Sequence, residues 1–225
     1  MADIGVFART TNSAPRAWFL GGTLFLVSIV IVVAQPAMAV VPGGGALSPV
    51  LFSAALLIFA FGIRGAGSVT ARRPLGTAAL TVLAVWLLLD LALAGVVTSS
   101  ISFDTAPTAV LAFAYANVFV QFLLALIAVM QIGRLGVVPS PWNWVPAWAL
   151  AAISASWLLT QVLGALGTTQ GAIVLSNALM SLESLTRTGG TVLLAVVAIV
   201  LADRMNRPQP PADPSINEKE RGSGS

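Results

Sequence analysis

Six long apolar runs, separated by short connections, constrain this chain more than any other feature. They are Ala17–Ala34, Val50–Ile63, Leu75–Val97, Ala106–Ile132, Pro146–Leu166 and the inner part of Ala172–Asp203. A helix rises 1.5 Å per residue, so a run of about 20 residues crosses the roughly 30 Å hydrocarbon layer of a bilayer. The shortest, Val50–Ile63, must gain a turn at either end to do so. Backbone amides in hydrocarbon have no water to bond, which leaves helices or closed barrels as the only spanning structures. The uninterrupted runs fit helices. The expected fold is therefore all-α, a polytopic bundle of six transmembrane helices.

The cations give this bundle an expected orientation. Arg9, Arg16, Arg64, Arg72, Arg73, Arg134, Arg204, Arg207, Lys219 and Arg221 all fall on one side of a six-span arrangement, and the opposite connections carry none. Loops rich in Lys and Arg stay in the cytoplasm, which places both termini inside. The domain organisation follows as a cytoplasmic segment over 1–16, a transmembrane domain over 17–204 and a disordered cytoplasmic tail over 205–225. That tail is rich in Pro, Ser, Gly and charge and has little to bury.

Composition agrees: 57% of residues are hydrophobic and only 8% charged, with a mean hydropathy of +0.94. Soluble domains carry about a quarter charged residues. The pI near 10.6 arises from a net charge of just +3 and gives no footprint for nucleic acid. His and Cys are both absent, which excludes disulfides, thiolate chemistry, His-ligated haem and the usual zinc sites. No nucleotide loop, paired-acid hydrolase or activated serine is present, so no enzyme and no cofactor are expected. Abundant Ala, Val and Leu, with Arg preferred to Lys, suggests a GC-rich bacterial genome and hence a bacterial cytoplasmic membrane.

Two alternatives bear on the ends of the chain. Ala37-Met38-Ala39 has the small-x-small form of a signal-peptidase site. The preceding run of about 18 residues exceeds the usual apolar region of a signal peptide, which favours a retained first span. Arg64, Arg134 and Arg204 are evenly spaced and hint at three stacked hairpins. Six regular helices produce that period without any internal repeat, so none is inferred.

Polar residues inside the runs are the candidates for a site. Counted from the cytoplasmic ends, Gln121 lies roughly 20 Å deep, Asp90 and Gln161 roughly 22 Å, Asn117 and Arg187 roughly 25 Å, and Glu183 roughly 30 Å. A charge at mid-bilayer costs about 2.5–3.5 kcal/mol on insertion scales, and such residues usually face the bundle interior with a partner. Glu183 and Arg187 are four residues apart and share a helix face, so they can pair with each other. Asp90 with Arg187 is the other expected pair. One reading joins Asp90, Asn117, Gln121, Gln161, Glu183 and Arg187 in an outward-opening polar cavity for a small solute or ion, as in a permease or its binding subunit. The other makes them glue between helices in a non-catalytic accessory or scaffold subunit with a membrane-protein partner. In that second case Arg187 snorkels to the headgroups.

Three packing features are expected besides. Ala147, Ala151 and Ala155 form a small-residue stripe, as do Ala112 and Ala116, suited to close helix approach. Trp86 and Trp157 each precede a polar residue by one turn and are expected chiefly as packing. Gly189-Gly190 marks either a broken helix or a close helix contact.

Overall fold

The structure is a computed structural model that describes residues 13–38, 43–63, 67–70, 73–100, 107–135, 142–165 and 170–207. Six long helices form: α1 (Ser13–Val33), α2 (Gly44–Phe61), α3 (Pro74–Ser100), α4 (Pro107–Leu135), α5 (Val145–Ala165) and α6 (Gln170–Asn206). A short helix, Gln35–Met38, follows α1, and a 3-10 turn, Trp142–Trp144, leads into α5. All six long helices are long and apolar enough to cross a membrane. The tail beyond 207 that was expected to be disordered, most of the 1–16 segment and the end of the peptidase-like motif at Ala39 lie outside the described residues.

Most boundaries follow the apolar runs, and α2 is the exception. The apolar run begins at Val50, after Pro49, yet the helix starts at Gly44, more than a turn earlier, and carries Pro49 inside it. Gly43 adopts φ 77°, a left-handed conformation that turns the chain immediately before the helix and that costs glycine nothing. Proline within a membrane helix is tolerated because neighbouring groups satisfy the freed backbone. Ser48 also ties this turn to α1, donating to the Ser28 carbonyl at 3.0 Å.

The helices are arranged as a ring in chain order. Each packs on its neighbours in sequence, α6 closes on α1, and the α4–α5 contact is the sparsest of these. Within this ring α1 is a wedge whose adjacent glycines face two different helices. A Cβ on Gly21 would meet the Phe59 ring of α2 at 2.7 Å, and one on Gly22 would meet the Ala195 carbonyl oxygen of α6 at 2.9 Å. Such close approach is how helices associate where no hydrophobic drive separates protein from lipid.

The core lies at one end of the ring, the end where the cations gather. It contains Trp18 and Phe25 of α1, Ala55, Leu56, Phe59 and Ala60 of α2, Ala79, Leu80, Leu83 and Ala84 of α3, Ala128 and Ile132 of α4, and Ala195, Val197, Ala198, Leu201 and Ala202 of α6. Trp18 meets Phe59 edge-on at 6.0 Å, and Phe25 packs on Phe52 and Phe59. The connection between α2 and α3 folds back to complete this core. Val69 is buried and its N–H donates to the Phe59 carbonyl at 3.0 Å. Ser68 donates to the Ala60 carbonyl at 2.7 Å and pairs with Thr70, which pairs in turn with Thr77 at 2.8 Å. Gly67, at φ 81°, permits the turn hard against Ala14.

At the opposite end the helices are barely covered. In α4 every residue from Leu111 to Ala116 is exposed, and in α6 so are Leu182 and Leu185. The expected alanine stripes are not the packing surfaces: Ala112, Ala116, Ala151 and Ala155 are all exposed. The face of α5 toward α6 is instead marked by Ala149 and Ile153, which flank Gly190. The last helix is continuous for 37 residues through Gly189 and Gly190. Of the two alternatives for that pair the break is therefore not seen, while close contact holds for Gly190 alone, since Gly189 faces open space.

Candidate functional site

Away from the core, the seams between helices are joined by polar side chains. Trp86 and Asp90 are one turn apart on α3, and Asn117 and Gln121 one turn apart on α4, so each pair presents a single face. The two faces meet. Trp86 Nε1 donates to Asn117 Oδ1 at 2.6 Å, Gln121 Nε2 donates to the same oxygen at 3.1 Å, and Asn117 Nδ2 donates to Asp90 Oδ1 at 2.8 Å.

Asn117 is the hub of this cluster, and its orientation is dictated by chemistry. An indole N–H can only donate, so the Asn117 oxygen must face Trp86 and its amino group must face Asp90. The Asp90 oxygen it reaches is thereby an acceptor. Among the described residues this is the one hydrogen bond to the Asp90 carboxyl, and it comes from a neutral amide. Asp90 is half-buried, and no hydrogen bond to its second oxygen occurs among the described residues.

The other expected site residues lie elsewhere. Gln161 of α5 accepts from the Tyr115 hydroxyl of α4 at 3.0 Å, beside an edge-on contact between Tyr115 and Trp157 at 6.2 Å. Tyr115 and Asn117 are two positions apart on one helix, about 200° around its axis, so they serve opposite sides of α4. The Gln161 contact is therefore separate from the Asp90 cluster. Between α5 and α6 the connection is Ser156 to Thr186 at 3.2 Å.

Neither of the expected ion pairs of Arg187 forms. The one ion pair among the described residues is Asp203–Arg207 at 2.8 Å, at the far end of α6. Arg187 is exposed and Glu183 half-buried. Neither side chain forms an ion pair with Asp90. The structure thus brings together Asp90, Asn117 and Gln121, sets Gln161 at a neighbouring seam and leaves Glu183 and Arg187 apart.

Two contributors went beyond the sequence reading. Trp86 acts as a hydrogen-bond donor as well as a packing group, a role signalled by its position one turn before Asp90. Tyr115 was not singled out, although it is the only tyrosine in the chain and lies within an apolar run. No group of three His, Cys, Asp or Glu suited to a metal occurs among the described residues. Comparison of the chain with protein-family models, with curated proteins and with solved structures yields no match.

Proposed function

We propose that this is a non-enzymatic, multi-pass protein of a bacterial cytoplasmic membrane, with both termini inside, that binds a small cationic solute or ion at Asp90. The supporting observation is the Asp90 carboxyl itself. It is held by one neutral donor, has no cationic partner among the described residues, and lies in the half of the ring that is thinly packed. An acid at such depth costs free energy that a bound cation offsets. Asn117, fixed by Trp86 and Gln121, orients the carboxyl and leaves its second oxygen for the ligand. Gln121 and Gln161 are neutral neighbours for a solute's polar groups. A permease or the binding subunit of an uptake system would use such a site.

One observation favours a second reading, that of an accessory or scaffold subunit held together by its polar residues. The α3–α4, α4–α5 and α5–α6 seams each carry a side-chain hydrogen bond, and the α4–α5 seam, where contact is sparsest, depends on it most. Bonds of this kind between membrane helices contribute about 0.6 kcal/mol each.

Thermal unfolding of the detergent-solubilised protein against a panel of small cations, anions and metabolites separates the two. A cation that binds at Asp90 is expected to raise the midpoint of the wild type and of Arg187→Gln but not of Asp90→Asn, because ligand binding to the native state adds RT ln(1 + [L]/Kd) to stability. If no cation shifts the wild type while Asp90→Asn alone lowers its midpoint, the cluster is structural and the binding reading is wrong.

A further inference from the structure

At the cation end, Phe61 of α2 and Pro74, Thr77, Ala78, Thr81 and Val82 of α3 line an open surface groove of about 620 Å³. On α3 these residues recur at the spacing of a single helix face and follow the axis for about 12 Å. The face is effectively apolar. Thr81 donates to the Thr77 carbonyl at 2.8 Å, and the Thr77 hydroxyl is engaged by Thr70 at 2.8 Å, so both threonine hydroxyls already have protein partners. Phe61 and Val82 remain half exposed at its walls, at 52% and 48%.

A cationic residue immediately precedes this stripe. Arg73 immediately precedes Pro74, and its side chain is exposed. Its backbone is fixed on both sides: the N–H donates to the Thr70 carbonyl at 2.9 Å, and its own carbonyl accepts from the Thr77 N–H at 3.1 Å. That places the Arg73 backbone one helical turn before Thr77, at the N-terminal end of the stripe that lines the groove. Arg64 and Arg72 belong to the same connection in sequence. Acidic residues are absent from the whole stretch between Phe61 and Val82.

An apolar helix face preceded by exposed Arg73, in a stretch of sequence with no acidic residue, matches a molecule with a long hydrocarbon chain and an anionic head. We propose that this groove binds an anionic phospholipid of the leaflet at the cation end, with an acyl chain along Pro74–Val82 and the headgroup phosphate on Arg73. Guanidinium presents a planar fork of donors suited to phosphate oxygens. Basic pockets between membrane helices on the cytoplasmic side recognise headgroups in this way, and each basic residue near the surface strengthens attraction to anionic lipid by about fivefold in affinity. The inference rests on the chain being inserted in a bilayer, but not on any role for Asp90.

Native mass spectrometry of the full chain, released from mixed micelles with phosphatidylglycerol and phosphatidylcholine of identical acyl chains, tests it. The wild type is expected to retain phosphatidylglycerol about fivefold over phosphatidylcholine. Arg73→Gln should abolish that preference, Ala78→Phe should lower retention of both lipids by filling the groove, and Arg134→Gln, at the end of α4, should change neither. Glycerophosphoglycerol, which has the head without chains, should not displace the lipid. Equal retention of the two lipids by the wild type overturns the proposal. So does an Arg73→Gln variant that keeps the preference, or displacement by the chain-free head. Because Arg73 is exposed, that variant should fold even if Ala78→Phe does not. Failure of the wild type to insert into liposomes would instead refute the membrane reading beneath it.

Discussion

Gly22→Val is expected to destabilise the protein by about 3 kcal/mol, the upper end of what overpacking costs. Even a single carbon at this position would stand 2.9 Å from the Ala195 carbonyl oxygen and 3.3 Å from the Ala198 Cβ. The backbone of α6 cannot rotate away as a side chain can, so α1 and α6 must separate. Ala195 and Ala198, which form the floor of this contact, are both buried in the core. Gly45→Val is the matched comparison, because the space around Gly45 is open; it should carry only the smaller penalty of a β-branched residue in a helix. Unfolding in mixed micelles with increasing sodium dodecyl sulfate measures both. Equal stability of the two variants would show that α1 and α6 do not pack this closely.

The second large effect is expected at Asn117. Leucine there removes the acceptor of Trp86 and Gln121 and the donor to Asp90 together, three hydrogen bonds in all. At about 0.6 kcal/mol for each bond between or along membrane helices, the loss sums to roughly 2 kcal/mol. The more informative result comes from adding Asp90→Leu. Removing one partner leaves a polar group unsatisfied, whereas replacing both with apolar groups of similar shape is nearly neutral. The double variant should therefore recover part of the stability lost by Asn117→Leu while losing the response to any cation that stabilises the wild type. The same unfolding titration, run with and without that cation, reads both quantities. A double variant that falls by the sum of the single effects would mean that Asn117 and Asp90 are energetically independent.

The helices were legible because their signal is long and repeated: all the apolar runs but Val50–Ile63 are long enough to span as they stand. Their order around the ring was less so, although short connections made contact between chain neighbours the natural expectation. Pro49 misled because proline ends helices in water, where its missing N–H has no remedy, but is tolerated in a membrane helix. Depth along the helices was also legible, and it grouped Asp90, Asn117 and Gln121 correctly as residues at one level. Azimuth was not. Residues at equal depth on six helices need not face one another, and the direction in which a helix turns its polar side chain depends on packing that a single sequence does not show. For that reason Gln161 meets Tyr115 at a separate seam, and Arg187 has neither Glu183 nor Asp90 as an ion-pair partner. The alanine stripes failed for a related reason. Small residues permit close approach, but in so alanine-rich a chain they occur on faces that have no neighbour as well as on those that do.

A cation site at Asp90 requires that its carboxyl be reachable from the side opposite the cations. The absence of cysteine in the chain makes the direct measurement simple, because a single introduced thiol is the only one present. Asp90→Cys, with Thr108→Cys as an exposed reference near the start of α4, is treated in right-side-out membrane vesicles with a small, charged, membrane-impermeant thiol reagent. Both thiols are expected to be labelled from outside, and a cation that stabilises the wild type through Asp90 should leave the Thr108→Cys rate unchanged. Labelling of Thr108→Cys with none at Asp90→Cys would contradict the claim, and would mean that the polar cluster is closed to water and serves to hold the helices together.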